Sequence, residues 1–197
     1  AIVSHRYEHI RGLVRDGDNA MFRNGGAQQI EAGPNTYTHI GKCIWLRGER
    51  GEEDTLMLAE QREFRGGRIV TLSSQVDKYP GKIDIWRPNC GARIARKSAL
   101  FVARQAGHEY GWGSVWRAIV MKLSLLRLVV GWYPDTTDES LSSWGELKHC
   151  SQTVCWAERL AGKSEEYNPA PRIGDKWCLP NDLANASHTL IWEGLNP

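Results

Sequence analysis

The chain has 197 residues, 41% of them hydrophobic, with 25 basic and 23 acidic side chains and a formal charge of +2. That is enough apolar content for a sizeable core in a single domain spanning 1–197, and too even a charge balance for a protein whose main task is holding nucleic acid. Five cysteines, at 43, 90, 150, 155 and 178, form no CxxC pair, so no zinc ribbon is expected and the thiols read as reduced. No basic-then-apolar leader is legible at the start, and with the odd cysteine count this favours a cytoplasmic setting over secretion.

The segment from Arg15 to Arg23, RDGDNAMFR, reads as a turn followed by a short strand in which Ala20 and Phe22 alternate with their neighbours. After a glycine-rich loop, Tyr37–Leu46 is rich in strand-forming residues and ends before the charged loop RGERGEED. Thr55–Phe64 is the next strand, RGGRIVTLSS a turn and a further strand, and Ile83–Pro88 the fifth. Short charged or glycine-bearing turns between them suit an antiparallel sheet. A helix follows over Ala92–Gly107, then the apolar stretch Val115–Tyr133, then a helix opened by Cys150 and stopped by Gly162. The tail carries proline and turn signals, with a last strand at His188–Leu195. Strands first and helices later is an α+β arrangement.

The stretch Val115–Tyr133 is interrupted by Arg117, Lys122 and Arg127, and is too short and charged for a membrane span. As a helix it puts Ile119, Leu123, Leu126 and Val130 on one face, which suits packing on the core or a partner; a lid or a lipid contact is the sharper alternative. The nine tryptophans show no repeat and are read as core and groove-lining residues.

In the last long helix Thr153, Val154, Ala157, Leu160 and Ala161 form one stripe, and Cys150 extends it into the first turn. A thiol there meets unpaired backbone N–H groups and the positive end of the helix dipole, both of which favour the nucleophilic thiolate. Cys155 falls about 140° around the wheel, beside Glu158 and Arg159, and is not the candidate. A cysteine nucleophile needs a base, and the base needs a third group to fix its tautomer. Of six histidines, His149 is adjacent to Cys150 in sequence, but neighbouring side chains at a helix start diverge. His39 is the better candidate, in a strand, with Gly41 two positions on leaving space above the sheet. If that strand pairs with Thr55–Phe64 about the charged loop, Glu60 lies opposite His39 within reach of its ring.

The order of these pieces resembles the circularly permuted branch of the NlpC-type papain-like cysteine peptidases, the YiiX and YaeF group. Thr38-His39-Ile40-Gly41 is similar to that family's histidine strand, Ala59-Glu60 to its second strand end, Cys150 to Val154 to its cysteine helix start, and Pro180-Asn181-Asp182-Leu183 to its closing segment. Gln152 departs from the glutamate usual there, and the stretch from Tyr110 to Cys150 is longer than the family's. The resemblance implies a papain-like fold with the sheet before the cysteine helix, and a Cys150, His39 and Glu60 triad acting on an amide of a small or cell-wall peptide. It implies no metal or organic cofactor and no nucleic-acid partner. A lipid-linked acyltransferase or thioesterase, and a binding or virion module without turnover, stand as alternatives.

Overall fold

The computed structural model describes residues 5–23, 37–50, 52–116, 147–163, 166–171 and 174–194. Its elements in chain order are α1 (His5–Leu13), β1 (Asn19–Arg23), β2 (Tyr37–Leu46), β3 (Thr55–Arg62), β4 (Gly66–Thr71) and α2 (Leu72–Lys78). There follow β5 (Lys82–Pro88), α3 (Ala92–Ala103), α4 (Cys150–Ala161), α5 (Pro180–Ala186) and β6 (His188–Trp192). The strands form one six-stranded antiparallel sheet in the order β4-β3-β2-β1-β5-β6. The α+β expectation holds at this level.

Alternation along the strands sends side chains into two separate apolar layers. Met21, Ile40 and Ala59 pack with Val154, Trp156 and Ala157 of α4, and with Val102 of α3. Ala20, Phe22, Cys43, Leu56 and Leu58 pack with Ile10 of α1 and Leu72 of α2. A sheet covered on both faces needs no polar side, which is why β1 is buried along its whole length. In α3, Ile94, Ala95, Ser98, Ala99 and Val102 are the buried positions, the spacing of one helical face.

Several expectations need correction. Helices α1, α2 and α5 were not foreseen, so helical elements flank and interrupt the strands rather than simply following them. The strands end earlier than expected, β3 at Arg62 and β6 at Trp192. The single stripe read for the cysteine helix is too narrow: every residue of α4 except Leu160 is buried. Of the apolar stretch Val115–Tyr133, only Val115 and Trp116 lie within the described residues. Among those residues no helix is long and apolar enough to cross a membrane.

Burying α4 on all sides requires partners for its charges. Glu158 Oε1 accepts from Lys42 Nζ of β2 at 2.5 Å, from Asn19 Nδ2 of β1 at 3.1 Å, and lies 3.2 Å from His188 Nε2 of β6. Burial works to raise the Glu158 carboxyl, but Lys42 and His188 outweigh it and hold the group down at about 2. Arg159 donates from Nε and Nη2 to Asp175 Oδ2 at 3.1 and 2.7 Å. Lys42→Met strips the main counter-charge from a carboxylate fully enclosed by protein. The expected loss is about 3–5 kcal/mol of unfolding free energy, measured by denaturant titration.

Candidate functional site

His39 lies two residues into β2, beside an irregularity in the ladder: Phe22 pairs with His39 but Arg23 pairs with Tyr37, leaving Thr38 as an extra residue. Such a bulge bends the strand and re-aims the neighbouring side chain. The His39 ring packs against Phe22 with centroids 5.2 Å apart, and its Nε2 lies 2.6 Å from Glu60 Oε2.

The expected register is two residues out. Glu60 sits opposite Gly41, not opposite His39. A shift of two keeps the same face of the sheet, so Glu60 reaches His39 along the diagonal. Gly41 is what allows this. A Cβ there would stand 2.8 Å from Leu58 Cδ1 and 2.9 Å from Glu60 Cβ. The space foreseen above Gly41 is therefore taken by the Leu58 and Glu60 side chains of the adjacent strand rather than by another element.

The second carboxylate oxygen is also occupied. Arg68, opposite Glu60 in the β3–β4 ladder, donates from Nε to Oε1 at 2.8 Å and from Nη2 to the same atom. Burial alone would raise the Glu60 carboxyl, but the charges of His39 and Arg68 and their hydrogen bonds carry it down to about 2. An ionised carboxylate only accepts, so the proton on the short contact belongs to His39 Nε2. In the neutral ring this leaves the lone pair on Nδ1.

Nδ1 is buried and holds no aligned hydrogen bond. Besides Glu60, Cys150 is the side chain that acts on this ring, by hydrogen bonding and by charge. Catalytic pairs are often loosely aligned before substrate arrives. Burial disfavours the imidazolium, but Glu60 and Cys150 outweigh it, and the His39 ring is raised to about 9. The structure thus brings His39, Glu60 and Cys150 together.

Cys150 is 3% exposed and opens α4, with His149 extended at the N-cap and Thr153 N–H making the first helical bond back to His149 O. Two side chains fix this first turn on one carbonyl: His149 Nε2 at 3.0 Å and Ser151 Oγ at 2.7 Å from Cys178 O. With its Nδ1 2.9 Å from Ser114 Oγ, His149 is engaged at both nitrogens. Cys155 faces other surroundings, as expected from the wheel. It hydrogen-bonds the Cys178 thiol, and that contact with burial pushes it well above the ordinary thiol range.

Tyr110 was missed in the sequence. It lies beside Cys150, and burial first, then the Cys150 charge, raise the phenol. A protonated phenol beside the sulfur is a hydrogen-bond donor at the place where a carbonyl oxygen would gain charge. The only sequence signal is a tyrosine ahead of a glycine in HEYGWG, which does not by itself point to a thiol. Among the described residues no group of three or more His, Cys, Asp or Glu side chains is arranged to hold a metal.

The coupling of Glu60 and His39 fixes a pH window. Glu60, lowered from 4.5 to about 2, contributes stability that is present above pH 4.5 and is lost as pH falls toward 2. His39, raised from 6.5 to about 9, contributes stability that is present below pH 6.5 and is lost as pH rises through 9. The thermal midpoint gap between the protein and its Glu60→Gln variant is therefore expected to be widest between pH 4.5 and 6.5 and to narrow on both sides. A midpoint series from pH 3 to about 10 measures it.

No family model, curated protein or solved structure matches the chain.

Proposed function

We propose that the protein is a cysteine hydrolase of the permuted papain-like type, cleaving an amide bond in a peptide or cell-wall peptide-like substrate. The observation that carries this reading is the His39 ring, held at Nε2 by an ionised Glu60 and acted on by the Cys150 sulfur. An imidazole fixed in one tautomer by a carboxylate, beside a thiol at a helix N-terminus, is the arrangement nucleophilic acyl transfer needs. A sheet that carries the histidine before the helix that carries the cysteine supports the permuted order.

The steps follow from that geometry. His39 Nδ1 takes the Cys150 proton, and Sγ bonds to the substrate carbonyl carbon. The carbonyl oxygen takes up negative charge, which the Tyr110 hydroxyl beside Cys150 and the backbone N–H groups opening α4 can receive. As the C–N bond breaks, the leaving amine takes the proton from Nδ1, leaving a thioester on Cys150. His39 then removes a proton from water, the resulting hydroxide attacks the thioester, and as the C–S bond breaks the departing sulfur takes that proton back from His39, returning the thiol and releasing the acid. Glu60 stays ionised throughout and holds the imidazolium; Arg68 holds Glu60.

Acyl transfer to an acceptor other than water uses the same thioester, so the lipid-linked reading differs only in the second half of the cycle. A module without turnover would keep the fold and lose the reactivity of the thiol. Iodoacetamide under native conditions is expected to alkylate Cys150 ahead of the other cysteines, since burial raises Cys43 and Cys90, while the hydrogen bond with Cys178 and burial raise Cys155. Peptide mass mapping reads the site, and labelling concentrated on Cys155 would count against the proposal. Cys150→Ala is expected to abolish turnover while leaving the unfolding transition in place. Glu60→Gln should move the alkaline limb of the rate profile, set near pH 9 by His39, down by about 1 unit or more.

A further inference from the structure

The β3–β4 turn places Phe64 at its tip with φ 62° and its side chain 89% exposed. The left-handed region is costly for a bulky residue, and a large apolar ring held out in water is costly as well. Nothing about folding calls for either. Nor is the turn loose. Gly67 N–H donates to His108 O at 2.7 Å and Gly107 N–H to Gly67 O at 2.8 Å, stitching it to the turn after α3. A Cβ on Gly66 would lie 2.3 Å from His108 O, so the approach is one only glycine permits.

The stitch brings Phe64 to Trp112, with ring centroids 4.8 Å apart, and Trp112 stands edge-on to Tyr110 at 5.1 Å. Tyr110 in turn contacts Cys150. Trp116, 63% exposed, lies one helical turn beyond Trp112 on the same face. Leu147, also exposed, sits against Gly111, where Gly111 N–H donates to Lys148 O at 3.1 Å. Among the described residues the large exposed aromatic side chains are Phe64, Trp112 and Trp116, and the first two continue by ring contact from the tyrosine beside the thiol.

We propose that Phe64, Trp112 and Trp116 form a rim that receives an apolar group of the substrate and delivers its carbonyl to Cys150. This deepens the hydrolase reading and rests on it. The tilt of 50° between the Phe64 and Trp112 rings makes a corner rather than a flat platform. A corner of two rings grips a chain or a side-chain ring by area and edge contact, whereas a sugar is best held on a flat aromatic face. The ligand chemistry is a hydrocarbon group of roughly phenyl or hexyl size, supplied by an aromatic peptide side chain or by a fatty acyl chain.

Three iodoacetamides test it: the unsubstituted reagent, the N-phenethyl and the N-hexyl derivatives. Alkylation of Cys150 is followed by mass mapping, and each rate is divided by the rate of the same reagent with N-acetylcysteine. At least one substituted reagent is expected to gain about tenfold over iodoacetamide, the scale of burying one ring or chain against aromatic side chains. Faster reaction of the phenethyl arm assigns the rim to peptide side chains, and of the hexyl arm to acyl chains. The gain should shrink toward one in Trp112→Ala and in Phe64→Ser, the second chosen because so exposed a side chain is removed without touching the core. Equal normalised rates for all three reagents, or a gain unchanged in both variants, would overturn the rim and leave the nucleophile standing. Absence of Cys150 alkylation by every reagent removes the nucleophile and the rim together.

Discussion

The buried contact between Glu158 and Lys42 is the constraint on which the site depends. Lys42 lies three residues after His39 along β2, about 10 Å of strand, and Glu158 lies eight residues after Cys150 along α4, about 12 Å of helix. The two lengths nearly match. Pinning Glu158 to Lys42 therefore sets the helix start level with His39, and a slide of one turn would separate the sulfur from the ring by about 5 Å. An apolar contact could bury the same surface, but it tolerates sliding. A carboxylate oxygen fixed by Lys42, Asn19 and His188 from three different strands does not. Buried ion pairs are weak sources of stability, and specifying one alignment is the better account of this one.

The protein uses the same device twice. Glu60 and Glu158 are both buried carboxylates that burial would push up, and both are carried down to about 2 by cations and hydrogen bonds that outweigh it. Their environments differ in what is left over. Around Glu158 the charges are enclosed within the protein, and the result is alignment. At Glu60, Arg68 occupies one oxygen and His39 the other, and His39 has a second nitrogen beside the Cys150 sulfur. That spare nitrogen is the base the proposed hydrolase would use.

The legible parts of the fold were those set by local pattern. A run rich in strand-forming residues gave β2 with its ends correct, and the first-turn cysteine with Gly162 beyond gave α4. The Glu60–His39 pairing was legible as a face and not as a register, because RGERGEED carries no dipeptide that fixes a tight turn. The missed α2, LSSQVDK, has one buried residue, Leu72, and so no periodicity to see. The single stripe read for α4 failed for a different reason. The partners of Glu158 and Arg159 come from β1, β2, β6 and Asp175, and long-range pairing leaves no mark within the helix itself.

Tyr110 shows why the donor side of the site was the least legible. Its place follows from three separate backbone contacts: Gly67 with His108, Gly107 with Gly67, and Gly111 with Lys148. The first two tie the chain ahead of Tyr110 to the start of β4, and the third ties the chain after it to the residue two before Cys150. Each demands a close approach that glycine supplies, and a Cβ on Gly67 or Gly111 would meet backbone at 1.9 or 2.5 Å. The phenol is thus held between the sheet's end and the helix's start, where the sulfur lies. Because the same contacts carry Phe64 and Trp112, any movement that shifts the Tyr110 hydroxyl also shifts the aromatic rings, and in the proposed hydrolase recognition of an apolar group and stabilisation of charge at the carbonyl would share one mechanical frame.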